Sequence, residues 1–196
     1  TMKLPGGKGE REIIKNGLSK GEKVFDNGPG RFQMIIQAQS FWEIKIDPTK
    51  TRPASEALTR RILAGKPLPR INTLVDAYNL ASITSQIPLA TFDSDKLEGE
   101  IFMRFAKEKE NILGIGMKKP MELQGGEIVV SDEKKLVAVY PYRDSDNTKV
   151  TEKTKNVTIV ACGVPKISND KLQKASKTAV DYVTRFCGGK VTNNFC

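Results

Sequence analysis

The sequence contains no histidine, and this absence excludes more chemistry than any other feature of its composition. Without histidine the chain cannot build a Ser-His-Asp or Cys-His catalytic group, a histidine general base or a metal site with imidazole ligands. We therefore expect any proton transfer to use a carboxylate, a lysine, a tyrosine, the substrate itself or water. We expect neither a metal ion nor a cofactor.

Cysteines and long apolar runs are also scarce. Cys162, Cys187 and Cys196 form no C-x-x-C pair, and their odd number argues against a disulfide framework or a zinc site. No run has the apolar length needed to span a bilayer, and the first eleven residues lack the apolar segment of a signal peptide. These absences favour a reducing compartment, so we expect a cytoplasmic protein without a membrane partner.

Positive charge is in excess. The 196 residues include 32 Lys and Arg against 23 Asp and Glu, which gives a net charge of +9. A basic balance of this size suits a polyanionic partner, most often a nucleic acid. The alternative is a basic protein with no such partner. The apolar content of 38% is enough to form a core in one large or two small domains.

The order of predicted elements indicates the fold class. Caps and proline breaks bound three helices, expected at 54–64, 73–87 and 168–187. Short β-rich runs bounded by Gly, Pro, Asp and Lys predict strands at 101–105, 127–130, 136–140 and 157–161. This pattern predicts an α+β domain in which helices pack on a mainly antiparallel sheet.

The apolar spacing predicts which helix faces are buried. In the first helix, Ala54, Leu58 and Ile62 fall on one stripe, and Thr73-x-x-Asp76 is typical of a capping box that opens the second helix. In the last helix the apolar residues recur at helical spacing, and we expect the following to face the core: Leu172, Ala175, Ala179, Val183 and Phe186.

Two polar clusters are candidate binding surfaces. Four cations within eleven residues could contact phosphates, and they are equally consistent with a solvated helix face: Arg60, Arg61, Lys66 and Arg70. On the second helix, Asn79 is a poor helix former and indicates a specific polar partner, which could be structural. Phe92 and Asp93 follow that helix.

A third cluster lies between two strand-like runs, at residues 142–148. Two carboxylates, an arginine and two hydroxyls converge there, and loops on a rigid scaffold often carry function. Asp, Ser and Asn also form ordinary polar turns, and spacing alone favours a polar turn over a functional site. Gly114-Ile115-Gly116 lacks the further glycine and the context of a phosphate-binding loop.

Several sequence blocks follow one another in a recognisable order. The first block is 52–79, which reads RPASEALTRRILAGKPLPRINTLVDAYN, and the second is 88–97, PLATFDSDKL. Gly126-Glu127-Ile128-Val129, the Arg143-Asp144 loop and 150–157 continue the series. Together these blocks resemble the B3/B4 domain family, which includes the tRNA-editing module of the phenylalanyl-tRNA synthetase β subunit. The resemblance covers roughly residues 40–165.

The resemblance implies a B3/B4-like domain of the PheT/TilS type over residues 31–196, preceded by a basic, Gly- and Lys-rich arm at 1–30. It implies tRNA or another RNA as the partner, with no DNA expected, and hydrolysis of the ester of mischarged tRNA. It does not imply a complete ligase. On this basis Arg143, Asp144 and Asp146 are the candidate catalytic residues. The candidate pocket residues are Asn79, Ala90, Phe92, Asp93, Glu127, Thr148 and Val160.

Two single positions and one loop depart from the bacterial editing site. Ala90 stands where that site has a histidine, and Val160 stands where a glutamate reads the tyrosine hydroxyl. Arg143, Asp144 and Ser145 replace a glycine-rich loop, in the manner of the stand-alone branch of the family. Three functions stay open from the sequence: a trans-acting aminoacyl-tRNA deacylase, a non-catalytic RNA-binding module, and a binder of amino-acid-like small molecules.

Overall fold

The computed structural model describes residues 52–192, and within this range it contains three α-helices and eight β-strands. The arm predicted at 1–30 and Cys196 lie outside the described residues. The helices are α1 (Ala54–Leu63), α2 (Thr73–Ser85) and α3 (Asn169–Cys187). The strands are β1 (Leu89–Asp93), β2 (Phe102–Phe105), β3 (Asn111–Ile112), β4 (Met121–Glu122), β5 (Ile128–Ser131), β6 (Leu136–Val139), β7 (Arg143–Asp144) and β8 (Val157–Ala161).

The described chain divides into two compact units. The first contains residues 52–89 and 159–192, and the second contains 90–158. The boundary between them falls within β1 and within β8, which pair with each other as a two-stranded sheet. The chain therefore leaves the first unit and returns to it through paired strands.

The first unit is built from the three helices and the neighbouring ends of β1 and β8. Its apolar core joins Ala81 of α2, Ala179 of α3 and Leu89, and the partly buried Ile159 and Ala161 pack against them. The periodicity of α3 follows directly from this packing, because Ala175 and Ala179 are fully buried. The expectation of helices packed on strands is thus confirmed in this unit.

The second unit is a set of antiparallel strands. Four of them form a sheet in the order β2-β5-β6-β7, and β3 pairs with β4 as a separate hairpin. The core below the sheet is apolar and contains Ala106, Ile112, Leu123, Val129, Leu136 and Val139. The α+β class with a mainly antiparallel sheet is therefore confirmed.

The stripe predicted for α1 is wrong. Ala54 is exposed and Leu58 and Ile62 are only half-buried, whereas the buried positions are Ser55, Glu56 and Thr59. These polar side chains can be buried because they have partners. The Thr59 hydroxyl donates to the Ser55 carbonyl at 2.7 Å, and the Glu56 carboxylate accepts from Arg60 Nε at 2.6 Å.

The start of α2 also differs from the expected capping box by one residue. Asn72 rather than Thr73 is the N-cap, and its side-chain oxygen accepts from the Val75 N–H at 2.9 Å. Asp76 reaches back to accept from the Ile71 N–H at 3.1 Å. The Asn72 acceptor satisfies a donor that the first helical turn leaves free, and the Asp76 acceptor satisfies the N–H of the residue before the N-cap. Of the helices in the described range, none combines the length and the apolar character required to cross a bilayer.

Candidate active site

The second unit presents the polar residues at 143–148 on a rigid support. β7 pairs antiparallel with β6, so that Arg143 lies opposite Val139 and Asp144 lies opposite Ala138. A 3-10 turn, Asp146–Thr148, follows β7 directly. Its N-cap is Ser145, whose hydroxyl accepts from the Asn147 N–H at 3.2 Å. The fold therefore fixes both ends of the loop that the sequence marks as a candidate site.

Among the described residues, Asp144 is the Asp or Glu whose pKa is clearly raised. Its side chain is half-buried beside the apolar β6, and none of the described residues forms a hydrogen bond or ion pair with its carboxylate. Burial raises the pKa of Asp144 to about 6, and the nearby Arg143 charge offsets part of that effect. A carboxylate with this pKa is ionised at neutral pH and remains basic enough to accept a proton.

Arg143 and Glu127 both act electrostatically on Tyr142. Partial burial raises the pKa of the Tyr142 phenol, the Glu127 charge raises it further and Arg143 lowers it, so both charges are within electrostatic reach of the ring. Glu127 Oε1 accepts from the Gln124 N–H at 2.9 Å. Glu127 Oε2 is buried with no hydrogen-bond partner among the described residues. Glu127, a predicted pocket residue, and Arg143 therefore both influence the ionisation of the same phenol, that of Tyr142.

Asp146 has a different environment. Its Oδ1 forms an ion pair with Lys149 Nζ at 2.6 Å, and its N–H donates to the Leu113 carbonyl at 2.8 Å. Lys96 Nζ donates to the Lys149 carbonyl at 3.0 Å and lies 3.3 Å from Asp93 Oδ2. A continuous chain of polar contacts therefore connects Asp146 with Asp93, and these two predicted site residues belong to one network.

Asp93 itself is buried and well satisfied. Its Oδ2 accepts from the Thr154 hydroxyl at 2.7 Å, and its Oδ1 accepts from the Asp95 N–H at 3.2 Å, where it caps the 3-10 turn Ser94–Lys96. These contacts hold the end of β1 against the loop that follows β7. Asp93 therefore has a structural role in the candidate site.

The remaining predicted pocket residues of the second unit are Thr148, Phe92 and Ala90. Thr148 is fully buried, and no described residue pairs with its hydroxyl, which water or a ligand then has to satisfy. Phe92 is 1% exposed and belongs to the interior of the unit. Ala90 is half-buried at the start of β1.

The other candidates belong to the first unit. Asn79 is half-buried on α2 and Val160 is half-buried on β8. Of the predicted RNA-contacting residues, Arg60 is exposed but pairs with the buried Glu56. Arg61 Nε donates to the Pro67 carbonyl at 2.6 Å and so stabilises the link after α1.

Charge is distributed unevenly between the two units. The described part of the first unit has eleven Lys and Arg against four Asp and Glu, whereas the second unit has twelve against thirteen. Lys66 and Arg70 are exposed on the link after α1, within the basic unit. A polyanion would therefore be attracted to the helical unit rather than to the sheet unit.

The fold is α+β, with helices packed on mainly antiparallel strands, and sequence comparison supplies the family. The family model described as the B3/4 domain matches residues 37–188. The chain belongs to this family.

Its relatives include the phenylalanine–tRNA ligase beta subunits of Fusobacterium nucleatum and Carboxydothermus hydrogenoformans. The first is 34% identical over 57% of this chain and 14% of the relative, and the second is 30% identical over 86% and 22%. The chain thus spans about a fifth or less of these proteins. An N-terminal fragment of the phenylalanyl-tRNA synthetase beta subunit from Pyrococcus horikoshii is similar in structure, with a TM-score of 0.49 and 20% identity, over 60% of this chain and 42% of the fragment.

Sequence reasoning missed several residues that shape the site. Lys96, Lys149 and Thr154 connect Asp93 with Asp146, and Gly114 lies against Arg143. An acid and a base three residues apart, as in Asp93 with Lys96 and in Asp146 with Lys149, were a readable signal for two of these contacts. The others join residues far apart in the sequence, for which the spacing gives no signal.

Proposed function

We propose that this chain is a tRNA-binding B3/B4 domain protein that hydrolyses mischarged aminoacyl-tRNA in trans. The observation that carries the proposal is Asp144, a half-buried carboxylate without a partner among the described residues and with a pKa of about 6. Membership of the B3/4 family supplies the class of substrate. The proposal covers ester hydrolysis only, since the chain spans a small part of the ligase subunits it resembles.

The proposed reaction needs a base and a group that stabilises negative charge. Asp144 accepts a proton from a water molecule, whose oxygen attacks the carbonyl carbon of the aminoacyl ester. Arg143 stabilises the oxyanion that forms, in a site where partial burial strengthens electrostatic interactions. The C–O bond to the terminal ribose then breaks, the ribose oxygen takes the proton, and the free amino acid leaves.

The direct test uses tRNA carrying correct and incorrect amino acids. The protein is incubated with each charged tRNA, and loss of the aminoacyl ester is followed against the rate without protein. Faster hydrolysis of at least one mischarged species supports the proposal. No hydrolysis across the panel, combined with salt-sensitive tRNA binding, would identify a non-catalytic RNA-binding module instead. A ligand that raises thermal stability without RNA would favour the small-molecule alternative.

The pH dependence of hydrolysis follows from the pKa of Asp144. A base acts when deprotonated, so kcat/KM, corrected for uncatalysed hydrolysis, should rise about tenfold per pH unit below about 6 and become level above it. The measurement is a rate profile between pH 4.5 and 8 at constant ionic strength. A profile without an inflection in this range would exclude Asp144 as the base in the free enzyme.

The RNA surface is tested by the salt dependence of binding. Replacing Arg61, Lys66 and Arg70 together by alanine should weaken tRNA binding and reduce the slope of log Kd against log salt by roughly 2, because each phosphate that a cation neutralises adds about 0.7 to 0.9 to that slope. Arg60 is left in place because it pairs with the buried Glu56. Fluorescence anisotropy of labelled tRNA at several salt concentrations measures the effect.

The control for this prediction removes three exposed lysines of the second unit, Lys118, Lys119 and Lys155. It lowers the net charge of the protein by the same amount. If both triple variants bind tRNA with the same reduced slope, only overall charge matters and the surface after α1 is not the contact.

A further inference from the structure

Gly114 lies directly against the proposed catalytic loop. It is a buried residue in the segment between β3 and β4, and it forms an antiparallel bridge with Ser145. On either side of this bridge, the Ile115 N–H donates to the Asp144 carbonyl at 2.9 Å and the Asp146 N–H donates to the Leu113 carbonyl at 2.8 Å. The backbone around Gly114 therefore runs alongside the loop and supports it.

The missing side chain of Gly114 provides the space that Arg143 occupies. A Cβ atom built on Gly114 would lie 2.6 Å from Arg143 Cγ and closer still to Cδ, and 2.9 Å from Met117 Sδ. Separations below 3.0 Å are essentially never found for real Cβ atoms. Cγ and Cδ are in the middle of the arginine side chain, so the conflict cannot be relieved by moving the guanidinium alone.

The same placement directs the arginine head group. With its methylene groups lying across Gly114, Arg143 brings Nη1 to 3.5 Å from the Ile115 carbonyl, a long and weak contact. Steric fit of the side-chain stem, rather than this contact, thus determines where the charge lies. The charge remains close enough to Asp144 to act on its ionisation.

We propose that Gly114 is a positioning residue for Arg143: because Gly114 has no Cβ, the arginine stem crosses its backbone and the guanidinium is held beside Asp144. The contact between Gly114 and Arg143 is established by interatomic distances alone. Its effect on hydrolysis rests on the proposed function, in which Arg143 stabilises the oxyanion. The experiment therefore measures both the ionisation of Asp144 and the reaction.

The first measurement does not need a substrate. The carboxyl carbon of Asp144 is titrated by NMR in the wild type, Gly114→Ala, Arg143→Ala and the double variant. Since Arg143 lowers the pKa of Asp144, displacing or removing its charge should raise that pKa in both single variants. In the double variant, the pKa of Asp144 should equal that in Arg143→Ala, because no arginine side chain remains for the added methyl group at position 114 to displace.

Gly116→Ala is the matched control. Gly116 belongs to the same turn and has a φ of +79°, but nothing lies within 4 Å of its added Cβ. Alanine there strains the backbone without contacting Arg143. The pKa of Asp144 should be unchanged in Gly116→Ala. An equal rise in both glycine variants would overturn the proposal, since it would mean that the ionisation depends on the turn as a whole.

The second measurement is hydrolysis. Gly114→Ala should lose roughly as much kcat/KM as Arg143→Ala, on the order of 100-fold, and the double variant should lose no more. If the wild type hydrolyses no aminoacyl-tRNA, the proposed function fails and the titration alone decides the role of Gly114. An unaltered Asp144 pKa in Gly114→Ala overturns the positioning role even where hydrolysis is observed.

Folding of the variants gives a separate check. If Gly114→Ala does not fold but the double variant does, the arginine stem is what excludes the Cβ, as the proposal requires. If the double variant also fails to fold, the space at Gly114 is needed for another reason and the proposal is overturned. Thermal unfolding followed by circular dichroism distinguishes these cases.

Discussion

Replacing Asp144 by asparagine is expected to lower kcat/KM for hydrolysis of mischarged tRNA by about 100- to 1,000-fold, the range typical of losing a positioned base. Asparagine keeps the shape of the side chain but cannot accept the proton from water. Binding of tRNA should be unchanged, because the cations proposed to hold it lie in the other unit. Rapid mixing with charged tRNA measures hydrolysis, and anisotropy measures binding.

The same substitution should not weaken the fold. The folded state raises the pKa of Asp144 from 3.8 to about 6, so this carboxyl group makes folding less favourable as the pH rises from about 4 to 6. Removing the charge should increase the free energy of unfolding at pH 8 by up to about 3 kcal/mol. A variant with less activity and equal or greater stability is the pattern of a functional residue.

Glu152→Gln is the control for Asp144. Glu152 is an exposed carboxylate of the same unit, and the substitution removes one negative charge away from β7. It should leave hydrolysis and stability within experimental error of the wild type. Wild-type turnover in Asp144→Asn would remove this residue from the mechanism and leave Asp146 as the carboxylate to test.

Replacing Asp132 by alanine should have the largest effect on stability, a loss of about 3 kcal/mol. The side chain of Asp132 is fully buried in the turn between β5 and β6. Its oxygens accept from the backbone N–H groups of Glu98, Lys134 and Lys135 at 2.8 to 3.0 Å, and Lys135 Nζ lies 2.8 Å away. Alanine leaves these donors without their shared acceptor.

The contribution of Asp132 also depends on pH. Burial alone would raise the pKa of Asp132, but the Lys135 ammonium and the backbone donors outweigh it and lower the pKa to about 2. The carboxylate therefore stabilises the fold above about pH 4, and about 2 kcal/mol is lost as the pH falls from 4 towards 2. Urea unfolding at pH 7 and at pH 2.5 measures both effects.

The difference between variant and wild type isolates this residue. Glu110 contributes in the same acid range, since its hydrogen bonds with Arg104 lower its pKa to about 2. In Asp132→Ala, the pH-dependent stabilisation from Glu110 remains, and only the pH-dependent stabilisation from Asp132 is lost. Glu133→Ala, at the exposed neighbouring position, should change stability by less than about 0.5 kcal/mol. Equal losses in both variants would contradict the central role of Asp132.

The features that the sequence predicts well are those with a strong apolar period. Ala175 and Ala179 lie on the buried face of α3 because their spacing matches the helical repeat, whereas the nearby Lys174 and Lys177 are exposed. In α1 the same reasoning failed, because burial there depends on hydrogen bonds that satisfy Ser55, Glu56 and Thr59. A hydrophobic pattern gives no information about polar side chains that find partners.

The candidate site was only partly predictable for a similar reason. The polar residues around Arg143 and Asp144 can be recognised in the sequence. The strand β7 that these two residues form depends on pairing with β6, which the sequence does not reveal. Likewise, the pKa of Asp144 depends on burial beside that strand. The role of Gly114 could not be read from the sequence, since the Arg143 stem that fills its space is 29 positions further along the chain.

The passage of the chain through β1 and β8 has a consequence for the order of folding. Residues 90–158 are an insertion in the helical unit, whose two parts are separated by 69 positions. During synthesis the sheet unit is complete before α3 has been made, whereas α2 has to wait for α3 to cover its apolar face. Folding of the sheet unit therefore first brings together the two ends of residues 90–158. The helical unit gains its core only after α3 has been synthesised.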